Sequence, residues 1–99
     1  MLVYREYNGI GLDRKDNPVQ NFNTIDHLKD YILNRFNEKG IYISNRNNIL
    51  IGNYVGRRYV YIRPEDLDST SMENFIINYN GNKEWDFYNN KYACIGTVE

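Results

Sequence analysis

His27 is the only histidine in this chain and Cys94 the only cysteine, so a proton relay through imidazole, or a metal site built on histidine, has one residue to start from. Asp30 and Tyr31 follow His27 at the three- and four-residue spacing at which helical neighbours meet and can orient a ring. A lone helical histidine is nevertheless more often a bystander, and no serine or cysteine stands in a nucleophile motif. Cys94 lies between Ala93 and Ile95, the setting of a small buried hydrophobe, and a single thiol excludes both an intramolecular disulfide and a cysteine-based zinc site. Asp13, Asp16 and Asn17 form one oxygen-rich group and Glu65, Asp66 and Asp68 another. Neither has calcium-loop spacing, and acids at a helix start need no metal. Gly9 and Gly11 run into Leu12 to Asp16 rather than into a helix, so the geometry by which glycine-rich loops cradle phosphate is missing. No catalytic, cofactor-binding or metal-ligating residue is assigned.

The chemistry that the residue types favour is recognition. Ten tyrosines are present, and Tyr54, Arg57, Arg58, Tyr59, Tyr61 and Arg63 fall in one short stretch without an acid. Aromatic planes interleaved with guanidinium groups serve protein-binding hot spots and single-stranded nucleic-acid platforms alike. The alternative is that residues 75–98 cover these tyrosines as a second layer, leaving their hydroxyls at its rim.

The elements that position this stretch follow from periodicity. Leu2 to Tyr7 alternates as a first strand, and residues 8–23, with Gly9, Gly11, Asn17 and Pro18, read as a long loop. Ile25, Leu28, Ile32, Leu33 and Phe36 make one helical stripe. Thr24 or Asn23 is the cap and Gly40 the C-terminal stop, which predicts a helix over about 24–39. From Ile41 the period drops to two, and Ile41 to Ser44, Ile49 to Val55 and Arg58 to Ile62 read as three antiparallel strands. A Gly56-Arg57 turn pairs Val55 with Arg58, and a three-residue loop with left-handed Asn47 pairs Ser44 with Asn48. Both place Ile41, Ile43, Ile49, Ile51, Val55, Val60 and Ile62 on a face covered by Leu28, Ile32 and Phe36. Tyr42, Leu50, Tyr54, Tyr59, Tyr61 and Arg63 then lie on the other face, with Arg57 at the tip and Gly52 across from Tyr61.

Pro64 to Asp68 suits a single helical turn with proline first. Thr70 to Glu73 is a capping-box pattern and Met72, Phe75, Ile76 and Tyr79 have helical spacing, yet Phe75, Ile77 and Tyr79 alternate with asparagines as a strand would. A short second helix is possible over 71–79, but the asparagines and paired isoleucines tip the reading toward a strand. Trp85 and Phe87 then mark one more strand and Tyr92 to Val98 the last. The expected fold is a single α+β domain over 1–99, one main helix on an antiparallel sheet of five to seven strands.

Composition narrows the function class. Twelve basic and thirteen acidic residues give a net charge of −1, unlike a dedicated duplex-DNA binder. That total hides a division: residues 41–63 hold four arginines and no acid, and 64–99 hold seven acids against two lysines. Sixteen asparagines and one alanine favour turns and sheet over helix, although AT-rich codons produce the same excess. No apolar run reaches signal-peptide or membrane-span length, so a soluble, cytoplasmic chain is expected. The leading expectation is a non-enzymatic module without cofactor that occupies a partner protein, in the manner of phage or mobile-element proteins that inhibit a host enzyme or defence system. Binding of RNA or single-stranded DNA through the same tyrosine and arginine residues is the alternative, and a small toxin-like ribonuclease the third.

Overall fold

The computed structural model describes residues 1–6, 19–79 and 91–99; the expected glycine loop at 9–16 and the Trp85 strand lie outside them. Five strands, β1 (Leu2–Glu6), β2 (Val19–Phe22), β3 (Leu50–Tyr54), β4 (Arg57–Ile62) and β5 (Ala93–Val98), form one antiparallel sheet in the order β2-β1-β5-β4-β3. Two helices, α1 (Ile25–Glu38) and α2 (Ser69–Tyr79), complete an α+β fold. Among the described residues, no helix is long and apolar enough to cross a membrane.

Helix α1 begins and ends as its residue types dictate. The Thr24 hydroxyl accepts from the His27 amide at 3.1 Å, satisfying one of the donors that a helix start leaves free. At the other end Ile41 N–H donates to Phe36 C=O and Gly40 N–H to Asn37 C=O, with Gly40 at φ 76°. This is the Schellman arrangement, which needs a residue that tolerates the left-handed region. Leu28, Ile32 and Phe36 are buried against Ile43, Val60 and Ile62, with Ile51 packed at the margin.

Four expectations require correction. Ile41 to Ser44 is not a strand: Ile41 and Ile43 are buried, but the Tyr42 amide donates to the buried Ser71 hydroxyl at 2.9 Å, so a side chain on α2 takes the place of a strand partner. The loop after it is a 3-10 turn over Arg46–Asn48, with the Asn45 carboxamide oxygen accepting from Asn47 N–H at 2.8 Å. That Asx contact holds the turn without left-handed Asn47. Within the expected loop 8–23, Val19–Phe22 pairs with β1. Residues 71–79 are helical because Asp68 supplies a cap, its carboxylate accepting from Ser71 N–H at 2.7 Å. The buried stripe is then Ser71, Phe75 and Tyr79, leaving Ile77 77% exposed where strand alternation would have buried it.

Central β5 is buried along its whole length. A bulge opposite Val60 and Tyr61 leaves Ile95 as an extra residue. Ile95 lies in the main core while Cys94 joins Tyr61 on the opposite face of the sheet. Gly96 is required where it stands, because a Cβ there would come within 2.5 Å of both the Tyr4 ring and the Arg5 carbonyl oxygen.

Candidate functional site

The β3–β4 hairpin positions the residues singled out from sequence. Its turn consists of Val55 and Gly56, both at positive φ (49° and 78°), between the paired residues Tyr54 and Arg57. The turn thus lies one residue earlier than the expected Gly56-Arg57 turn, and Ile51 pairs with Val60 rather than with Ile62. The shift in pairing is two residues, an even number, so Ile51, Val60 and Ile62 keep one face and Leu50, Tyr59 and Tyr61 the other. Val55 leaves the strand for the turn: expected in the core, it stands 83% exposed at the tip.

The tyrosine and arginine residues do not form one open patch. Arg57 is exposed, Arg58 and Tyr59 are half-buried, and Tyr61 is only 7% exposed. Tyr61 packs with Cys94, Leu50, Tyr59 and Tyr92 in a small cluster, its ring 5.9 Å from that of Tyr92. Its hydroxyl reaches over Gly52, 2.6 Å from where a Cβ would be. Arg63 donates to Asp66 at 3.1 Å. Arg58 lies on the face opposite Tyr59, as alternation along a strand requires. Tyr42, expected on the same face, stands exposed outside the sheet.

What remains at the tip is Val55, Gly56, Arg57 and Arg58. Neither arginine forms an ion pair or side-chain hydrogen bond with any described residue. Beside them an open groove of about 320 Å³ is lined by Gly56, Arg57, Arg58, Thr97, Val98 and Glu99.

A second constellation escaped the sequence reading. Glu6 is 2% exposed, and Arg35 grips it with hydrogen bonds of 2.8, 2.9 and 2.7 Å. The Tyr79 hydroxyl donates to the same carboxylate at 3.1 Å and accepts from Lys39 Nζ at 3.1 Å, with the ammonium 4.6 Å from the Tyr79 ring centre. The hydrogen bond to Glu6 holds the Arg35 proton more firmly than usual. Burial, with the Glu6 charge second, raises the Tyr79 hydroxyl, and burial raises Tyr4 as well. Burial lowers Lys39. The network ties β1 to α1 and α2, with its buried polar atoms all partnered, which suits a structural clamp more than a reacting centre. Two sequence signals pointed to it: Glu6 continues the inward alternation of Leu2 and Tyr4, and Arg35 and Lys39 stand four apart on one helix.

Other chemical candidates are committed elsewhere or lie at the surface. His27 is exposed, Cys94 is buried and donates to Gly96 C=O at 3.5 Å, and Asp66 and Asp68 serve Arg63 and the α2 cap. Among the described residues, no group of three or more His, Cys, Asp or Glu is placed to hold a metal ion. No protein-family model matches the chain, and no curated protein or solved structure does so either.

Proposed function

We propose that this protein is a binding module that acts by occupying a partner protein, with the tip of the β3–β4 hairpin as its anchor. One observation carries the reading: the tip places a β-branched residue, Val55, at φ 49° and leaves its side chain 83% exposed. For an L-residue the left-handed region costs about 1–2 kcal/mol, and turns of this type strongly prefer Asn, Asp or Gly there. Folding alone gives no reason for valine. A partner that takes the isopropyl group into a pocket does, and two uncommitted arginines beside it supply charge-assisted donors. The small size and the Asn-, Ile- and Tyr-rich composition suit an inhibitory accessory protein of a phage or mobile element, acting in the cytoplasm by steric occlusion.

A photo-crosslinker at position 55, compared with one at the comparably exposed Ile77, tests this in extract of the native host. Adducts formed from 55 but not from 77, competed by unlabelled wild type and not by Arg57→Glu, are the expected outcome. Adducts from 77 alone would move the surface to α2. Competition by single-stranded RNA or DNA together with a steep loss of binding in salt would replace the protein partner with nucleic acid.

A further inference from the structure

The closing pair of a two-residue hairpin, here Tyr54 and Arg57, is bridged by the turn hydrogen bond. Antiparallel partners alternate between bonded and non-bonded pairs, so Gly52 with Tyr59 and Leu50 with Tyr61 are the other bonded pairs. The N–H and C=O groups of Ile51 and Asn53 therefore point away from β4, and among the described residues β3 is the last strand of the sheet on that side. Among the described residues, neither backbone makes a hydrogen bond outside the ladder. This edge lacks the usual guards against pairing: β3 carries no charge, proline or bulge. Asn53 is exposed and Ile51 half-buried.

We propose that two copies of this chain join edge to edge through β3 as an antiparallel, twofold dimer. The choice of a second copy rests on self-complementarity. With Ile51 of one copy opposite Asn53 of the other, both pairs are of the bonded kind, and all four outward groups of each copy gain a partner. The twofold axis then passes between the two Gly52 residues, a non-bonded pair whose Cα atoms approach to about 4.5 Å. Glycine adds no side chain there, and the Tyr61 hydroxyl already fills the space above it. Charge agrees as well. The register sets Tyr54 of each copy opposite Leu50 of the other, so the hairpin tip of one lies toward the 3-10 turn that leads into β3 of the other, where Arg46 meets the two exposed acids Asp26 and Asp30. Arg58, which shares the α1 side of the sheet with Val60 and Ile62 and has no ionic partner among the described residues, thus approaches a net negative group on the other copy.

Sedimentation over a range of concentrations, with amide exchange followed on the full chain, tests the dimer. The mass is expected to rise to twice that of the monomer. Exchange at Ile51 and Asn53 should slow at least tenfold over the same range, while Gly52, already bonded to β4, is protected throughout. Asn53→Pro removes an outward N–H and no ladder bond, and Asn53→Lys places two like charges near the axis. Each should remain monomeric with an unchanged circular dichroism spectrum, and each should still crosslink from position 55, which separates failure of the dimer from failure of the hairpin site. A monomer at every concentration overturns the proposal, as does a dimer that survives both substitutions. Protection of Ile51 and Asn53 only on addition of a partner protein would give the edge to that partner and also overturn it.

Discussion

Where β1 meets α1 and α2, Arg35 spends its guanidinium on Glu6 through three hydrogen bonds under 3 Å, and Lys39 and Tyr79 complete the set. At the hairpin tip, Arg57 and Arg58 are adjacent like charges without an ionic partner among the described residues, beside a valine in a backbone conformation that its side chain disfavours. The first region is built to be closed: a buried carboxylate is tolerable only when fully paired. The second is left open at a cost, and a cost retained at the surface points outward to whatever offsets it. Chemically interesting residues are thus poor guides until their partners are counted, since among the described residues the polar cluster around Glu6 is both the richest and fully satisfied.

Breaking the closed region should have the largest effect. Glu6→Ala leaves Arg35 and Lys39 facing each other without their anion, and is expected to cost about 3 kcal/mol, the low end for a broken buried pair, because the Arg35 side chain keeps 30% of its surface in water. Urea denaturation measures it. Combining Glu6→Leu with Arg35→Met should cost less than the sum of the two single changes. A double variant as damaged as that sum would show that the residues do not act as a pair.

Alkaline pH probes the same cluster. Tyr4 and Tyr79 hold their protons in the fold well past the ordinary value of 10.0, whereas the unfolded chain releases them there. Stability should therefore be intact below pH 10 and fall as pH rises above it. Lys39, lowered by burial from 10.5, sheds its proton earlier in the fold and so offsets part of that fall. The tyrosinate absorbance of Tyr4 and Tyr79 should rise only together with unfolding. Tyr79→Phe should flatten the decline. A rise complete before unfolding would mean that the cluster is open to water.

At the hairpin, Arg57→Ala combined with Arg58→Ala is expected to weaken partner binding by roughly 2 kcal/mol while moving stability by no more than about 0.5 kcal/mol. Titration calorimetry and thermal melts read the two separately. Equal losses in both would make the arginines part of the scaffold.

How far the sequence could be read follows the same division. Features set by local chemistry were legible: the α1 stripe, its Thr24 cap and Gly40 stop, the Pro64 turn, and the face assignment of Val60 against Tyr61, which survives a turn misplaced by one residue. Features set by distant partners were not. Ile41 and Ile43 alternate as a strand does, yet the Tyr42 amide is satisfied by Ser71 from α2. Residues 71–79 carry both periods, and the Asp68 cap together with the Phe36, Phe75 and Tyr79 ring contacts decides for helix. The candidate tyrosine face depended on burial, which alternation cannot supply: Tyr59 and Tyr61 share a face, but Tyr61 is enclosed with Cys94. Val55 was hidden by its own type, since a β-branched residue is the last expected at positive φ.

That residue gives the smallest energetic effect and the sharpest separation. Val55→Asn places the preferred residue of an Asn-Gly turn ahead of Gly56 and relieves the left-handed strain, so the fold should gain about 1 kcal/mol, or roughly 4–8 °C in Tm for a domain of this size. Partner binding should weaken in the same variant, because the exposed isopropyl group is replaced by a hydrated amide. Opposite signs are what distinguish a retained functional residue from a structural one. A variant that melts higher and binds undiminished would leave the arginines as the whole of the site. One that fails to melt higher would mean that the tip accommodates valine without strain, and Val55 would then no longer point to a partner.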